Sequence, residues 1–151
     1  MMKKCFLLIV LLLFTQCDYK PIYSQNNQNF GIKIIEFNEN RSNKILATRL
    51  KNYSYKKDNV FFYELKLLSS ESKLVLSKDT KGDPLLLGLK INLKIEVYEK
   101  NMLITKKEYS EQFNYQNLSR KFELNSYESE IRKNIYNKMI SKILIDLANL
   151  K

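Results

Sequence analysis

The chain contains no histidine and no tryptophan, and it has only three glycines, two prolines and two cysteines in 151 residues. Without histidine there is no Ser-His-Asp or Cys-His catalytic arrangement, no histidine-ligated zinc, and no side chain whose ordinary pKa lies near neutrality. The glycines, Gly31, Gly82 and Gly88, are not spaced as a GxGxxG motif or a P-loop, which need close backbone approach to phosphate. The composition therefore excludes these classes of hydrolase and nucleotide-binding protein.

The charge is strongly positive, with 26 Lys and Arg residues against 16 Asp and Glu and a formal net charge of +10. A content of 44% hydrophobic residues is too high for a disordered polymer and, at this length, is typical of one globular domain. Two interpretations of the charge stay open. It is either a solvated surface or a surface suited to phosphate-bearing partners, such as nucleic acid, anionic membrane or phosphorylated lipid.

The first sixteen residues have the pattern of an export signal. Lys3 and Lys4 precede an uninterrupted apolar run, CFLLIVLLLF over 5–14. This run is about half as long as a membrane-spanning helix needs to be. We therefore predict a cleaved signal peptide over residues 1–16. For an exported protein we expect no nucleic-acid partner.

The end of the apolar run, FTQC over 14–17, resembles a bacterial lipobox, in which the cysteine at the cleavage point is acylated. Cys5 leaves with the signal, so Cys17 would otherwise be a lone thiol in an oxidising compartment. We predict that Cys17 is the lipidation site and that the polar residues 17–29 form a lipidated tether. Because Gln16 is not the small residue usual before such a cysteine, an ordinary signal peptide remains the alternative.

The periodicity of the apolar residues predicts one α+β domain over residues 30–151. We predict strands at 30–37, 60–68, 89–97 and 103–115, with 73–77 extending or returning the second strand. We predict one helix of about three turns from Ser42 and a long amphipathic helix from about Asn125 to the C-terminus. The order β-α-β-β-β-α gives a two-layer sandwich, a three- or four-stranded, mostly antiparallel sheet with two helices on one face.

Three local features refine this prediction. Apolar and polar residues alternate strictly from Leu89 to Val97, so one face of the sheet should be core and the other wet. A hairpin turn is predicted at 99–101, after which Leu103 and Tyr109 should share one side of the last strand. Near the start of the long helix, Glu128 should complement the helix N-terminus in a capping-box pattern.

The opening of the mature chain, CDYKPIY over 17–23, resembles that of the LptE family of lipopolysaccharide-assembly lipoproteins of alphaproteobacterial type. That family has cysteine, usually glycine, an aromatic, a basic residue, proline, an aliphatic and tyrosine. The segments FNY at 113–115 and YESE at 127–130, with Phe122 between them, extend the resemblance into the final helix. It implies an outer-membrane lipoprotein that plugs and helps to assemble the β-barrel lipopolysaccharide translocon, an LptD-type partner, and that binds lipopolysaccharide. It implies no catalytic residue, no metal and no cofactor beyond the lipid on Cys17.

Lipopolysaccharide carries phosphates, so this role favours exposed cations. Lys78 and Lys81 lie on the turn-rich loop KDTKGDP, and Lys90 and Lys94 lie on the polar face of the alternating strand. These four lysines are the candidate lipopolysaccharide contacts, and each would act as a point charge rather than as a bidentate ligand. A solvated sheet face is the alternative interpretation.

Asp18 stands where the LptE family tends to have glycine, and an aspartate at this position resembles the enterobacterial signal for inner-membrane retention. It therefore weakens the prediction of an outer-membrane location on the periplasmic face. Two other functions stay open. One is an auxiliary lipoprotein of an ABC-type lipid transport system, and the other is an anchored periplasmic enzyme using carboxylates such as Asp79, Asp83 or Glu96.

Overall fold

The computed structural model describes residues 30–37, 40–53 and 61–150. The elements are β1 (Phe30–Phe37), α1 (Arg41–Leu50) followed by a 3₁₀ turn (Lys51–Tyr53), β2 (Phe61–Lys78), β3 (Pro84–Glu99), β4 (Met102–Gln116) and α2 (Lys121–Ala148). The predicted α+β order β-α-β-β-β-α is therefore confirmed. The predicted signal peptide, the acylated Cys17, the tether and Asp18 lie outside the described residues and stay predictions.

The four strands form one mixed sheet in the order β1-β2-β3-β4. β1 runs parallel to β2, whereas β2–β3 and β3–β4 are antiparallel hairpins. A parallel pair needs a crossover connection, which α1 supplies. β2 is one continuous strand of 18 residues, because it pairs with β3 from Glu64 to Lys78, straight through the polar stretch SSES at 69–72.

The core lies between one face of the sheet and the two helices. The alternating β3 residues predicted to face it are all at most 1% exposed: Leu89, Ile91, Leu93, Ile95 and Val97. The predicted stripe of the long helix is also buried: Ile131, Ile135, Met139, Ile143 and Leu147. Tyr127, predicted on this stripe, is instead 44% exposed and packs edge-on against Tyr115, with ring centroids 6.1 Å apart.

Both helices begin earlier than predicted. Asn40 caps α1, since its side chain accepts a 2.7 Å hydrogen bond from the backbone N–H of Asn43, and Ser42 lies within the first turn. α2 begins at Lys121, with Arg120 at the N-cap and no side-chain capping bond, so Asn125 lies inside the helix. The capping pattern near Asn125 therefore does not mark the helix start.

The predicted turn between β3 and β4 is confirmed. Lys100 and Asn101 have φ of 48° and 64°, the left-handed conformations that a two-residue hairpin turn requires. The pairing then shifts by one residue, so Leu103 lies opposite Tyr98. The prediction that Leu103 shares a side with Tyr109 is wrong, because such a bulge reverses the alternation of side chains.

Candidate functional site

The face of the sheet away from the helices, called the open face below, holds the predicted polar residues of β3. Each row across the open face is set by the strand register. Three successive rows are Lys66, Glu96 and Lys106; Leu68, Lys94 and Glu108; and Ser70, Asn92 and Ser110. The next row contains Ser72, Lys90 and Gln112. The alternation predicted between Leu89 and Val97 thus does produce one wet, polar face.

Ion pairs between neighbouring strands fill the half of the open face nearer the β3–β4 turn. The nitrogen-to-oxygen distances are 3.0 Å for Lys33 and Glu64, 2.9 Å for Lys66 and Glu36, 2.8 Å for Lys94 and Glu108, and 2.5 Å for Lys106 and Glu96. Opposite charges facing each other across strands stabilise the register. Pairs whose two side chains are both exposed contribute little to stability, because water and salt screen the charges.

Lys94 belongs to this set of cross-strand ion pairs. Its ammonium group is held by Glu108, and both side chains are well exposed. A phosphate that approached Lys94 would therefore also meet the carboxylate of Glu108. Of the candidate lipopolysaccharide contacts on the open face, Lys94 is thus the one whose charge is already compensated.

Lys90 has neutral neighbours. It lies between Ser72 on β2 and Gln112 on β4, and within the described ranges it forms no ion pair. In the next row, the Ser110 hydroxyl donates a 2.8 Å hydrogen bond to the Asn92 side chain. One point charge among hydroxyl and amide groups offers a mixture of donors and acceptors that suits a phosphorylated sugar. Sequence reasoning missed these neighbours, because only the pairing of three strands brings them together.

Lys78 and Lys81 lie elsewhere, at the hairpin between β2 and β3. The Asp79 carboxylate accepts 2.9 Å hydrogen bonds from the backbone N–H groups of Lys81 and Asp83, and so it organises the turn. Lys78 pairs with Pro84, six residues before Lys90 along β3, a separation of about 20 Å. The structure therefore brings Lys90 and Lys94 onto one face and leaves the two loop lysines as a separate group.

The carboxylates considered for an enzyme have structural partners. Glu96 accepts hydrogen bonds from Lys106 and from the Tyr98 hydroxyl, and these lower the pKa of Glu96 below its ordinary value. Asp79 and Asp83 belong to the turn described above. Over residues 30–37, 40–53 and 61–150, no three His, Cys, Asp or Glu side chains are placed to share a metal ion. Across the same residues, no helix is long and apolar enough to cross a membrane.

A second polar cluster, not predicted from the sequence, lies beneath α2 on the opposite face. Glu128 is only 4% exposed and forms an ion pair with Lys73 of β2. The Tyr115 hydroxyl donates a 2.7 Å hydrogen bond to the same carboxylate. The prediction that Glu128 complements the helix N-terminus is therefore wrong. Because α2 starts at Lys121, Glu128 lies two turns into the helix and faces the sheet.

Arg132 links this cluster to its neighbours. Its guanidinium lies 2.7 Å from Glu71 of β2 and 3.5 Å from Glu128, one helical turn away. The Tyr136 hydroxyl completes the group by donating a 2.9 Å hydrogen bond to Ser42 of α1. The cluster joins α1, α2 and the sheet, so we assign it a structural role.

The chain matches no protein-family model and no curated protein. Its fold is shared with solved structures that are named lipoproteins. Rare lipoprotein B from Shewanella oneidensis has 15% identity and a TM-score of 0.59, and the match covers 80% of this chain and 98% of that one. Lipoprotein B from Nitrosomonas europaea has 12% identity and a TM-score of 0.56, with 77% and 83% covered. The minor lipoprotein from Acinetobacter baumannii has 15% identity and a TM-score of 0.52, with 76% and 86% covered. The described domain thus has the fold of these bacterial lipoproteins.

Proposed function

We propose that this chain is a lipoprotein held on the periplasmic face of the outer membrane by acyl chains on Cys17. There its domain plugs, and helps to assemble, the β-barrel lipopolysaccharide translocon. The observation that carries this proposal is a lipobox-like cysteine joined to a domain whose fold matches 98% of the rare lipoprotein B chain. The mature N-terminus, CDYKPIY over 17–23, supports it through its resemblance to the LptE family.

The proposed role depends on binding and shape. We propose no catalytic residue, no metal and no cofactor apart from the lipid on Cys17, and the partners are an LptD-type barrel, lipopolysaccharide and the membrane. β2 alone is 18 residues long, which corresponds to about 55 to 60 Å, and the domain is two layers thick. Such a long, narrow body suits insertion into a barrel lumen. The binding energy would come mainly from apolar contact and complementary shape.

Lipopolysaccharide binding is proposed at the open face, around Lys90. A lipid A phosphate would approach its ammonium group, while Ser72 and Gln112 offer neutral hydrogen-bonding groups beside it. Lys94 would contribute less, because a phosphate there would compete with Glu108. Lys78 and Lys81 would provide a separate contact at the β2–β3 hairpin.

A second candidate function rests on Asp18. An aspartate after the acylated cysteine favours inner-membrane retention, where the protein would serve as an auxiliary lipoprotein of an ABC-type lipid transport system. That protein would hold phospholipid instead of lipopolysaccharide. The two functions therefore differ both in membrane and in lipid.

Depletion of the protein in its native host tests the proposal. We expect lipopolysaccharide at the cell surface to fall and newly made lipopolysaccharide to accumulate in the inner membrane, as measured by surface labelling and membrane fractionation. Complementation with the wild-type gene should restore the surface lipopolysaccharide, whereas a Cys17→Ala variant that is exported but not acylated should restore it poorly. Unchanged lipopolysaccharide with altered phospholipid distribution would instead support the ABC-type function.

A further inference from the structure

The chain enters the domain at one end of the sheet, called the anchor-side end below. Phe30 pairs with Phe61, and three residues farther along β2, Glu64 pairs with Tyr98. Three residues beyond Tyr98 is Asn101, so Phe30 lies level with the turn between β3 and β4. The segment that follows the predicted acylation site therefore joins the domain beside this turn, about 15 Å away across the sheet.

An exposed apolar run begins at the same turn. Met102, Leu103 and Ile104 are 65%, 46% and 43% exposed. In a strand that covers a core, alternate side chains should be buried, and three consecutive exposed apolar side chains are a liability unless they contact something. The consecutive run ends at Ile104, because Thr105 is partly buried and Tyr109 is buried, although Phe113 farther along β4 is again 45% exposed.

Cations border this apolar run. Lys100 lies in the turn, and Lys106 and Lys107 follow the run. Lys106 is paired with Glu96, whereas Lys100 and Lys107 form no ion pair within the described residues. Glu99 is the carboxylate of the turn itself. Apolar side chains bordered by lysines are typical of surfaces that contact anionic lipid.

The length of the tether decides which end of the domain stays near the bilayer. Residues 17–29 reach at most about 45 Å when fully extended. β2 spans about 55 to 60 Å between the anchor-side end and the β2–β3 hairpin. A domain turned upside down, with that hairpin on the bilayer, would need a longer tether. Acylation of Cys17 therefore keeps the anchor-side end closer to the membrane.

We propose that the β3–β4 turn and the run Met102 to Ile104 form a second membrane contact, which rests on the surface of an anionic phospholipid leaflet. The three apolar side chains enter the interfacial region, and Lys100 and Lys107 lie near the headgroup phosphates. The contact belongs to the lipoprotein before it engages a protein partner, and it orients the β2–β3 hairpin away from the leaflet. This inference rests on the acylation of Cys17 in the proposed function.

The test uses the full-length acylated protein in vesicles of phosphatidylglycerol and phosphatidylethanolamine. Cys17 is the one cysteine of the predicted mature chain, and its thiol is blocked by lipid, so an introduced cysteine can be labelled alone. Leu103→Cys carries an environment-sensitive fluorophore at the proposed contact. Phe122→Cys is the matched control, because Phe122 is 83% exposed on the first turn of α2, at the opposite end of the sheet.

We expect the label at position 103 to shift its emission to shorter wavelength, to be quenched by brominated acyl chains and to be protected from aqueous iodide. The label at position 122 should be quenched by iodide and unaffected by brominated lipid. Equal iodide quenching at both positions, with no quenching by brominated lipid at 103, would overturn the proposal. The mass of the N-terminal peptide is measured on the same sample. A missing acyl group would contradict the proposed function. An acylated protein whose label at position 103 is exposed to solvent would contradict the membrane contact alone.

The charged border is tested in the same background. In the double variant Lys100→Gln with Lys107→Gln, we expect less quenching of the 103 label by brominated lipid on anionic vesicles. The quenching should fall to the level seen on neutral phosphatidylcholine vesicles for the labelled protein that keeps both lysines. Unchanged quenching on anionic vesicles would overturn the assignment of these lysines to the headgroups.

Discussion

Tyr115 of β4 and Glu128 of α2 share a 2.7 Å hydrogen bond, in which the phenol hydroxyl donates to a carboxylate that is buried beneath the helix. Burial by itself would raise the pKa of Glu128, but hydrogen bonds from Lys73 and Tyr115 bring it below its ordinary value. The pKa of Tyr115 is raised, first by burial and then by this bond. The proton therefore stays on the tyrosine, and the ionised carboxylate fastens the final helix to the sheet.

Glu128→Gln should make the free energy of unfolding less dependent on pH in the acid range. Because the folded-state pKa of Glu128 lies below that of an unfolded glutamate, about 4.3, its stabilising contribution is complete above that pH. The contribution is lost as the pH falls through the folded-state value. Urea unfolding between about pH 5 and pH 2 should show a steeper loss in the wild type than in the variant. Glu111, whose pKa is also lowered, should leave some slope in both proteins. Identical slopes would mean that Glu128 is not the linked group.

Glu128→Ala should be far more destabilising than its exposed counterpart. Without Glu128, the buried Tyr115 hydroxyl loses its acceptor and the half-exposed Lys73 loses its carboxylate, whereas Arg132 keeps its pair with Glu71. We therefore expect a loss of about 2 kcal/mol in the free energy of unfolding at neutral pH. Glu123→Ala is the control, since it breaks the exposed 3.0 Å pair with Arg120 on the same helix. That loss should stay below about 1 kcal/mol. If the two variants lose free energy of unfolding to within about 1 kcal/mol of each other, the cluster does not hold α2 on the sheet.

Ile143→Ala tests the packing of α2 on the sheet. Ile143 is fully buried, so its truncation removes apolar contacts and leaves a cavity. The free energy of unfolding should fall by about 2 to 5 kcal/mol. Phe122→Ala removes a larger side chain from the same helix, but one that is 83% exposed, and should change stability by less than about 0.5 kcal/mol. Thermal or urea unfolding of both variants checks the ranking. Similar losses of stability in the two variants would contradict the burial of the apolar stripe of α2 against the sheet.

Lys90→Ala should weaken the binding of phosphorylated lipid A by the purified lipoprotein. Loss of one uncompensated lysine near a lipid phosphate corresponds to about a fivefold loss of affinity at low salt. The matched control is the double variant Lys94→Ala with Glu108→Ala, which removes an ion pair from the same face without changing the net charge. Its affinity should stay close to the wild type. Equal affinities for all three proteins would remove Lys90 from the proposed site.

Periodicity predicted those elements that have one uniformly apolar face. The alternation from Leu89 to Val97 and the four-residue repeat from Ile131 to Leu147 are both confirmed, because the residues buried there are simply hydrophobic. The same method divided β2 at 69–72, where core-facing positions are polar. Ser69 is hydrogen-bonded to Asn40, which lies 29 residues away in the chain. Periodicity within one segment does not reveal such a partner.

The candidate site was less predictable, because its chemistry depends on register. The sequence placed Lys90 and Lys94 on one polar face, but only the pairing of β3 with β4 sets Glu108 beside Lys94 and Gln112 beside Lys90. Leu103 shows the same limit, since a one-residue bulge moves it to the other side of the strand. Cys17 lies outside the described residues, so its acylation stays a prediction.

The central claim is that the protein works together with an outer-membrane β-barrel. It is tested most directly by a pull-down of the C-terminally tagged lipoprotein from its native envelope in gentle detergent, with the co-purifying proteins identified by mass spectrometry. The account predicts recovery of a large outer-membrane β-barrel in amounts close to those of the lipoprotein. Recovery of inner-membrane ABC transporter subunits, with no barrel, would contradict it.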